Sequence, residues 1–101
     1  MKLFTINATP VSISNTLGEN EKLVKNYPRV VASVLKSHGF DGFTMYQVQG
    51  YWMGLSEISF KIEIAIDTNP ERVYTVAQTL RDMFNQDSVM VTLPNNTVKF
   101  I

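Results

Sequence analysis

Residues 50–64 read "GYWMGLSEISFKIEI", and the second half of that stretch decides the fold. From Ile58 onward an apolar side chain returns at every second position, through Phe60, Ile62, Ile64 and Ile66. A period of two marks a strand, because successive side chains leave the backbone on opposite faces. Ser56, Glu57, Ser59, Lys61 and Glu63 are expected on the other face. One face therefore meets a core and the other meets water or a partner. Just ahead of the alternation stand Tyr51, Trp52 and Met53 between Gly50 and Gly54, so the only Trp lies beside a carboxylate at the mouth of a strand.

Downstream, "DTNPERVYTVAQTLRDMF" reads as a helix. Asn69 can cap it, Pro70 suits the first helical position, and Thr68 with Glu71 has capping-box spacing. Val73, Val76, Ala77, Leu80, Met83 and Phe84 then form a stripe at helical spacing. "SVMVTL" is expected as a strand, "PNN" as a turn and "TVKFI" as a short closing strand. Upstream, "FTMYQVQGYWM" is rich in strand-forming residues but apolar on both faces, with Phe43, Met45 and Tyr51 on one side and Tyr46, Val48 and Trp52 on the other. A strand of that kind is usually covered twice. Before it, Leu23, Tyr27, Val30, Val31, Val34 and Leu35 mark an amphipathic helix that Gly39 ends. Pro28 either starts that helix or kinks a longer one. Leu3 to Ile6 open the chain as a strand, and Pro10 interrupts or ends it.

The order is β-α-β-β-α-β with a small extra strand. Two right-handed β-α-β units joined through a hairpin give an α+β, ferredoxin-like arrangement, a single antiparallel sheet with both helices on one face. At 101 residues this is a single domain, and 45% hydrophobic with 18% charged residues suits a packed core. The uncovered sheet face, with Tyr, Trp and Met on it, points to an oligomer.

Many chemistries are excluded by what is missing. Nine basic and nine acidic residues cancel, so there is no global pull on a phosphate backbone or an anionic membrane, and no basic, aromatic-interleaved stripe reads nucleic acid. Without cysteine there is no thiolate catalysis, Cys-ligated metal or disulfide. With no leader and no apolar run long enough to span a membrane, a reducing cytoplasm is the expected compartment. His38 is the only histidine, next to Gly39 at a helix end, where it suits the helix dipole. A Ser-His-Asp triad would have to use it, and there is no G-x-S-x-G elbow, nucleotide loop or calcium loop. No metal and no cofactor are expected.

Tyr46, Tyr51, Trp52, Ser56 and Glu57 remain, within twelve positions around a turn. Aromatic faces can hold a base or a cation, and a carboxylate can hold an ammonium. The plainer reading is that Tyr51 and Trp52 pack an oligomer interface and Glu57 is a solvated charge at its rim. Lys61 and Glu63 are expected as an exposed or intersubunit pair, Asp67 and Glu71 as helix-terminus charges, and Asp87 as a turn residue.

The frame "DGFTMYQVQGYW…SEISFKIEI…FNQDSVMVT" resembles trimeric PII-like domains, including a bacterial family with a D-G-x-T-V…G-x-W…Q-x-S-V-x-V layout. It also resembles the bacteriophage S-adenosylmethionine lyases, once described as hydrolases. The matching pieces run from Gly42 to Val91: Gly50 with Tyr51 or Trp52, Glu57 ahead of "ISFKIEI", and Gln86-Asp87-Ser88-Val89-Met90-Val91. This resemblance implies a homotrimer that splits S-adenosylmethionine into methylthioadenosine and homoserine lactone between subunits. Glu57 would be the catalytic group, and Tyr46, Tyr51, Trp52 and Ser56 would bind substrate. The cell compartment would be a host cytoplasm, and the role anti-restriction. A second implication, from the PII-like side, is a module that binds a nucleotide or inhibits a partner without catalysis.

Overall fold

The computed structural model describes residues 1–9, 17–52 and 54–101, with side chains given for all of these except 17–26, 50, 52 and 55–58. Strand β1 (Lys2–Ala8) leads to helix α1 (Leu17–Ser37). A hairpin of β2 (Thr44–Trp52) and β3 (Leu55–Ile66) follows, then helix α2 (Pro70–Met83), β4 (Met90–Thr92) and β5 (Val98–Phe100). The sheet order is β2-β3-β1-β4-β5, with every neighbouring pair antiparallel. β1 and β2 flank β3, so each β-α-β crossover steps over one strand. This is the ferredoxin-like α+β fold expected from the element order.

The alternation of β3 is realised as read. Phe60, Ile62 and Ile64 are fully buried, facing Ala8, Ile6 and Phe4 across the β1 register. Tyr27 from α1 stacks on Phe60 at 4.8 Å between ring centroids, and Phe84 meets Phe60 edge-on at 5.8 Å. From α2, Val73, Val76, Ala77 and Leu80 complete the core with Val31, Val34 and Leu35 of α1. Met83, expected in the same stripe, is 49% exposed. A 3.6-residue period leaves position 83 at the edge of the stripe, and the helix ends there, so Phe84 turns in instead.

Local signals resolve three open points. Pro28 lies inside α1, which begins eleven residues earlier at Leu17. Proline withholds one backbone donor, and here the helix continues on both sides of it. The expected capping box is not formed: Asn69 is the cap, its Oδ1 accepting the Arg72 N–H at 3.3 Å, while Thr68 Oγ1 accepts from the Arg72 guanidinium at 3.3 Å. With Asn69 as cap, the position three residues on is Arg72, and Glu71 sits one too early to reach back. α1 ends as expected at Gly39, whose φ is 85°. Its N–H donates to the Lys36 carbonyl at 3.0 Å, and the Phe40 N–H donates to Leu35 at 2.9 Å. That paired closure needs a left-handed residue.

Arg72 joins the two helix ends. Its Nη2 donates to the His38 carbonyl at 2.9 Å, and its guanidinium lies 4.8 Å above the Phe40 ring. A Cβ on Gly39 would come within 2.9 Å of that Nη2. Gly39→Ala is therefore expected to cost about 2 kcal/mol, from left-handed strain plus displacement of Arg72. Gly39→Asn should cost less, since Asn tolerates this region. Thermal unfolding of the two variants checks both, and equal melting temperatures to wild type would refute the account.

Candidate functional site

The hairpin register positions the residues singled out in the sequence. Tyr46 pairs with Lys61, Val48 with Ser59, Gly50 with Glu57, Tyr51 with Ser56 and Trp52 with Leu55. With a period of two, strand positions 46, 48, 50 and 52 share the helix-free face with positions 57, 59, 61 and 63. Positions 51 and 56 fall on the opposite face, which corrects the expectation that Ser56 stands with Glu57. The five candidates are thus divided between the two faces of the hairpin. The side chains of Trp52, Ser56 and Glu57 lie outside the described residues. Only their strand positions enter the geometry. Along β3, positions 57 and 61 are about 13 Å apart at the usual strand rise. An elongated ligand, not a compact one, would reach from position 57 to Tyr46.

Tyr46 is 41% exposed and Tyr51 is 70% exposed. The two lie on opposite faces of β2, so at these positions neither face of a strand expected to be covered twice is closed in the single chain. The Tyr46 hydroxyl donates to Glu63 Oε2 at a long 3.4 Å. Its phenol is held above the ordinary tyrosine range, first by partial loss of solvent and then by the neighbouring Glu63 carboxylate, which repels the phenolate and accepts the phenol proton. Glu63 thus turns to Tyr46, and no ion pair joins it to Lys61; the ion pairs among the described residues are Met1 with Asp67 and Arg81 with Asp82. Glu71 lies in the first turn of α2, and Asp87 is exposed at a bend.

A polar cluster missed from the sequence lies beside the hairpin base. Thr9 and Ser59 are 7% and 6% exposed, and their hydroxyls are 2.9 Å apart. The Thr9 N–H donates to Gln86 Oε1 at 3.0 Å, so the glutamine of the Gln86–Val91 motif fastens the end of β1. Nearby on β1, Asn7 Oδ1 is buried with no hydrogen-bond partner. Single serines and threonines in a polar strand face give no signal of burial, because the burial comes from strands distant in sequence. A cavity of about 260 Å³ opens at the far end of the sheet, lined by Lys2, Phe4, Thr68, Pro70 and Leu93 among others. None of the hairpin candidates lines it.

No protein-family model matches the chain, and no curated protein matches it. Among solved structures, it is similar to a phage SAM lyase in complex with S-methyl-5'-thioadenosine, at 18% identity and a TM-score of 0.71, covering 98% of this chain and 87% of that one. A phage SAM lyase in its apo state gives 20% identity and a TM-score of 0.68, over 98% and 86% of the two chains. The PII-like protein CutA from Nostoc sp. PCC 7120 gives 17% identity and a TM-score of 0.51, over 100% and 77%. At these identities the likeness is one of fold, and it is shared across the entire sheet and both helices. The chain has the PII-like form of the ferredoxin-like fold that phage SAM lyase and CutA also have.

Proposed function

We propose that the protein is a phage-type S-adenosylmethionine lyase, working as a homotrimer with its site in a crevice between copies. What carries the reading is the agreement in fold, over 98% of this chain, with a phage SAM lyase that holds S-methyl-5'-thioadenosine. The aromatic residues and Glu57 of the hairpin, found independently in the sequence, support it. The substrate's own carboxylate attacks its γ-carbon. A C–O bond forms as the C–S bond breaks, the sulfonium leaves as the neutral thioether methylthioadenosine, and homoserine lactone keeps the ammonium. No proton moves and no protein nucleophile is consumed. Opposite charges are annihilated in the step, so a site that strips water from the carboxylate favours the transition state, and holding the chain curled supplies several kcal/mol more. Glu57 fixes the ammonium, Tyr46, Tyr51 and Trp52 offer ring faces to adenine and sulfonium, and Ser56 offers a hydroxyl. Loss of the methyl donor from a host cytoplasm would give the anti-restriction effect.

Incubation with S-adenosylmethionine in ¹⁸O-water tests the chemistry. Methylthioadenosine and unlabelled homoserine lactone are the expected products. Homoserine labelled at its γ-hydroxyl would mean attack by water, and no methylthioadenosine at all would end the lyase reading.

The likeness to CutA keeps a second reading in play, a PII-like module that binds a nucleotide or inhibits a partner. The β2–β3 connection, with Trp52 paired to Leu55, is too short for a long regulatory arm. A rise in melting temperature with adenine nucleotides, without turnover, would favour this module.

A further inference from the structure

The cavity of about 260 Å³ at the far end of the sheet is separate from the hairpin, and its walls and rim differ in kind. Phe4, only 1% exposed, forms its floor. Leu93 and Pro94, between β4 and β5, and Pro70 at the start of α2 supply the walls. Pro70 presents a ring there and has no N–H to offer. The β4–β5 turn is held by two backbone bonds of 2.9 Å, from the Leu93 N–H to the Thr97 carbonyl and from the Asn96 N–H to the Leu93 carbonyl. Asn96 takes the left-handed conformation at the tip, with φ 67°, which asparagine tolerates. An apolar cavity of about 150 Å³ is enough to accept benzene, so this one has room for a ring and a short polar tail.

The three polar side chains at the cavity are left as donors. Lys2 is exposed, can only donate, and forms no ion pair among the described residues. Thr68 Oγ1 accepts from the Arg72 guanidinium at 3.3 Å, which leaves its own proton to give. Asn95 Oδ1 accepts the Thr97 N–H at 3.1 Å, which leaves its amide NH₂ to give. Among the described residues no carboxylate lines the cavity, and Asp67, next to Thr68, lies 4.0 Å from the Met1 ammonium. We propose that this cavity binds a small monocarboxylate carrying one apolar ring, with the ring against Phe4, Leu93 and Pro70 and the carboxylate at Lys2. A carboxylate only accepts, so it matches a rim that only donates, and the Lys2 ammonium adds a charge-assisted bond. The ring removes from water the apolar walls that a free anion would leave wet. This site is independent of the lyase reading, because none of the hairpin candidates takes part in it.

Phenylacetate is the probe, titrated into the intact protein at neutral pH while the Leu93 methyl groups are followed by carbon–proton NMR. Saturable shifts of those methyls are expected. Phenylacetamide keeps the ring and loses the charge, and acetate keeps the charge and loses the ring. Each should bind about tenfold more weakly than phenylacetate. Lys2→Met should bring phenylacetate down to the affinity of phenylacetamide and leave phenylacetamide unchanged, while Lys2→Arg keeps the preference for the acid. Lys2 is exposed, so both variants are expected to fold, and their ligand-free spectra check this. The comparison of the three probes on wild type stands without them. Absence of a saturable Leu93 shift overturns the proposal. So does equal binding of acid and amide, as an apolar cavity alone would give, or equal binding of acetate, as a loose anion site would give. A Lys2→Met variant that still prefers the acid overturns it as well. Turnover of S-adenosylmethionine does not enter these measurements, so the lyase reading and this site stand or fall separately.

Discussion

Phe60→Ala is expected to lower the unfolding free energy by about 3–5 kcal/mol, a large part of what a domain of this size holds. The ring is fully buried and touches three elements at once: its own strand, Tyr27 of α1 stacked at 4.8 Å, and Phe84 beyond α2 edge-on at 5.8 Å. Truncation loses the buried area, leaves a cavity between helices and sheet, and removes two ring–ring contacts worth about 0.5–1.5 kcal/mol each. Phe60→Leu should recover much of the loss, because most of the volume returns. Met83→Ala is the control: half exposed, it should cost less than about 1 kcal/mol, although both residues are apolar and belong to strongly patterned segments. Urea unfolding with an unchanged slope measures all three. A Phe60→Ala cost near that of Met83→Ala would mean that the core is not centred where β3, α1 and α2 meet.

Glu57→Gln is expected to reduce kcat/KM for S-adenosylmethionine at least tenfold, with mass and melting temperature unchanged. The swap keeps shape and hydrogen-bonding capacity but removes the charge that would hold the substrate ammonium. A charge-assisted bond is worth about 1.5–3 kcal/mol, which corresponds to roughly tenfold or more. Because the ammonium is present in both substrate and transition state, a large part of the loss should appear in KM. Wild-type turnover in this variant would remove Glu57 from the site. The two results are separable, since Glu57 is tested in a folded protein and Phe60 by folding itself.

Much of the candidate site was legible because its residues crowd one turn. Tyr46, Tyr51, Trp52, Ser56 and Glu57 fall within twelve positions, and no histidine cluster or cysteine competes with them. How they divide between faces was not legible from crowding. It follows from the pairing of Gly50 with Glu57 and Tyr51 with Ser56, a register that shifts every side chain if it slips by one. The roles of Thr9, Ser59 and Gln86 were hidden for a related reason. Thr9 and Ser59 are fifty positions apart, and Gln86 is seventy-seven from Thr9, so no local pattern could couple them.

The sequence by itself determined the repeating features: the alternation of β3, the cap at Asn69 and Pro70, the left-handed stop at Gly39 and the apolar stripe of α2. Each is decided by residues a few positions apart, through the periods of strand and helix and the steric rules of single backbones. Tertiary structure alone decided that β5 adds to the sheet outside β4, the exposure of Met83, and the burial of Thr9 and Ser59. These depend on contacts between segments distant in the chain, whose energies are set only when the sheet is assembled and its helices are docked.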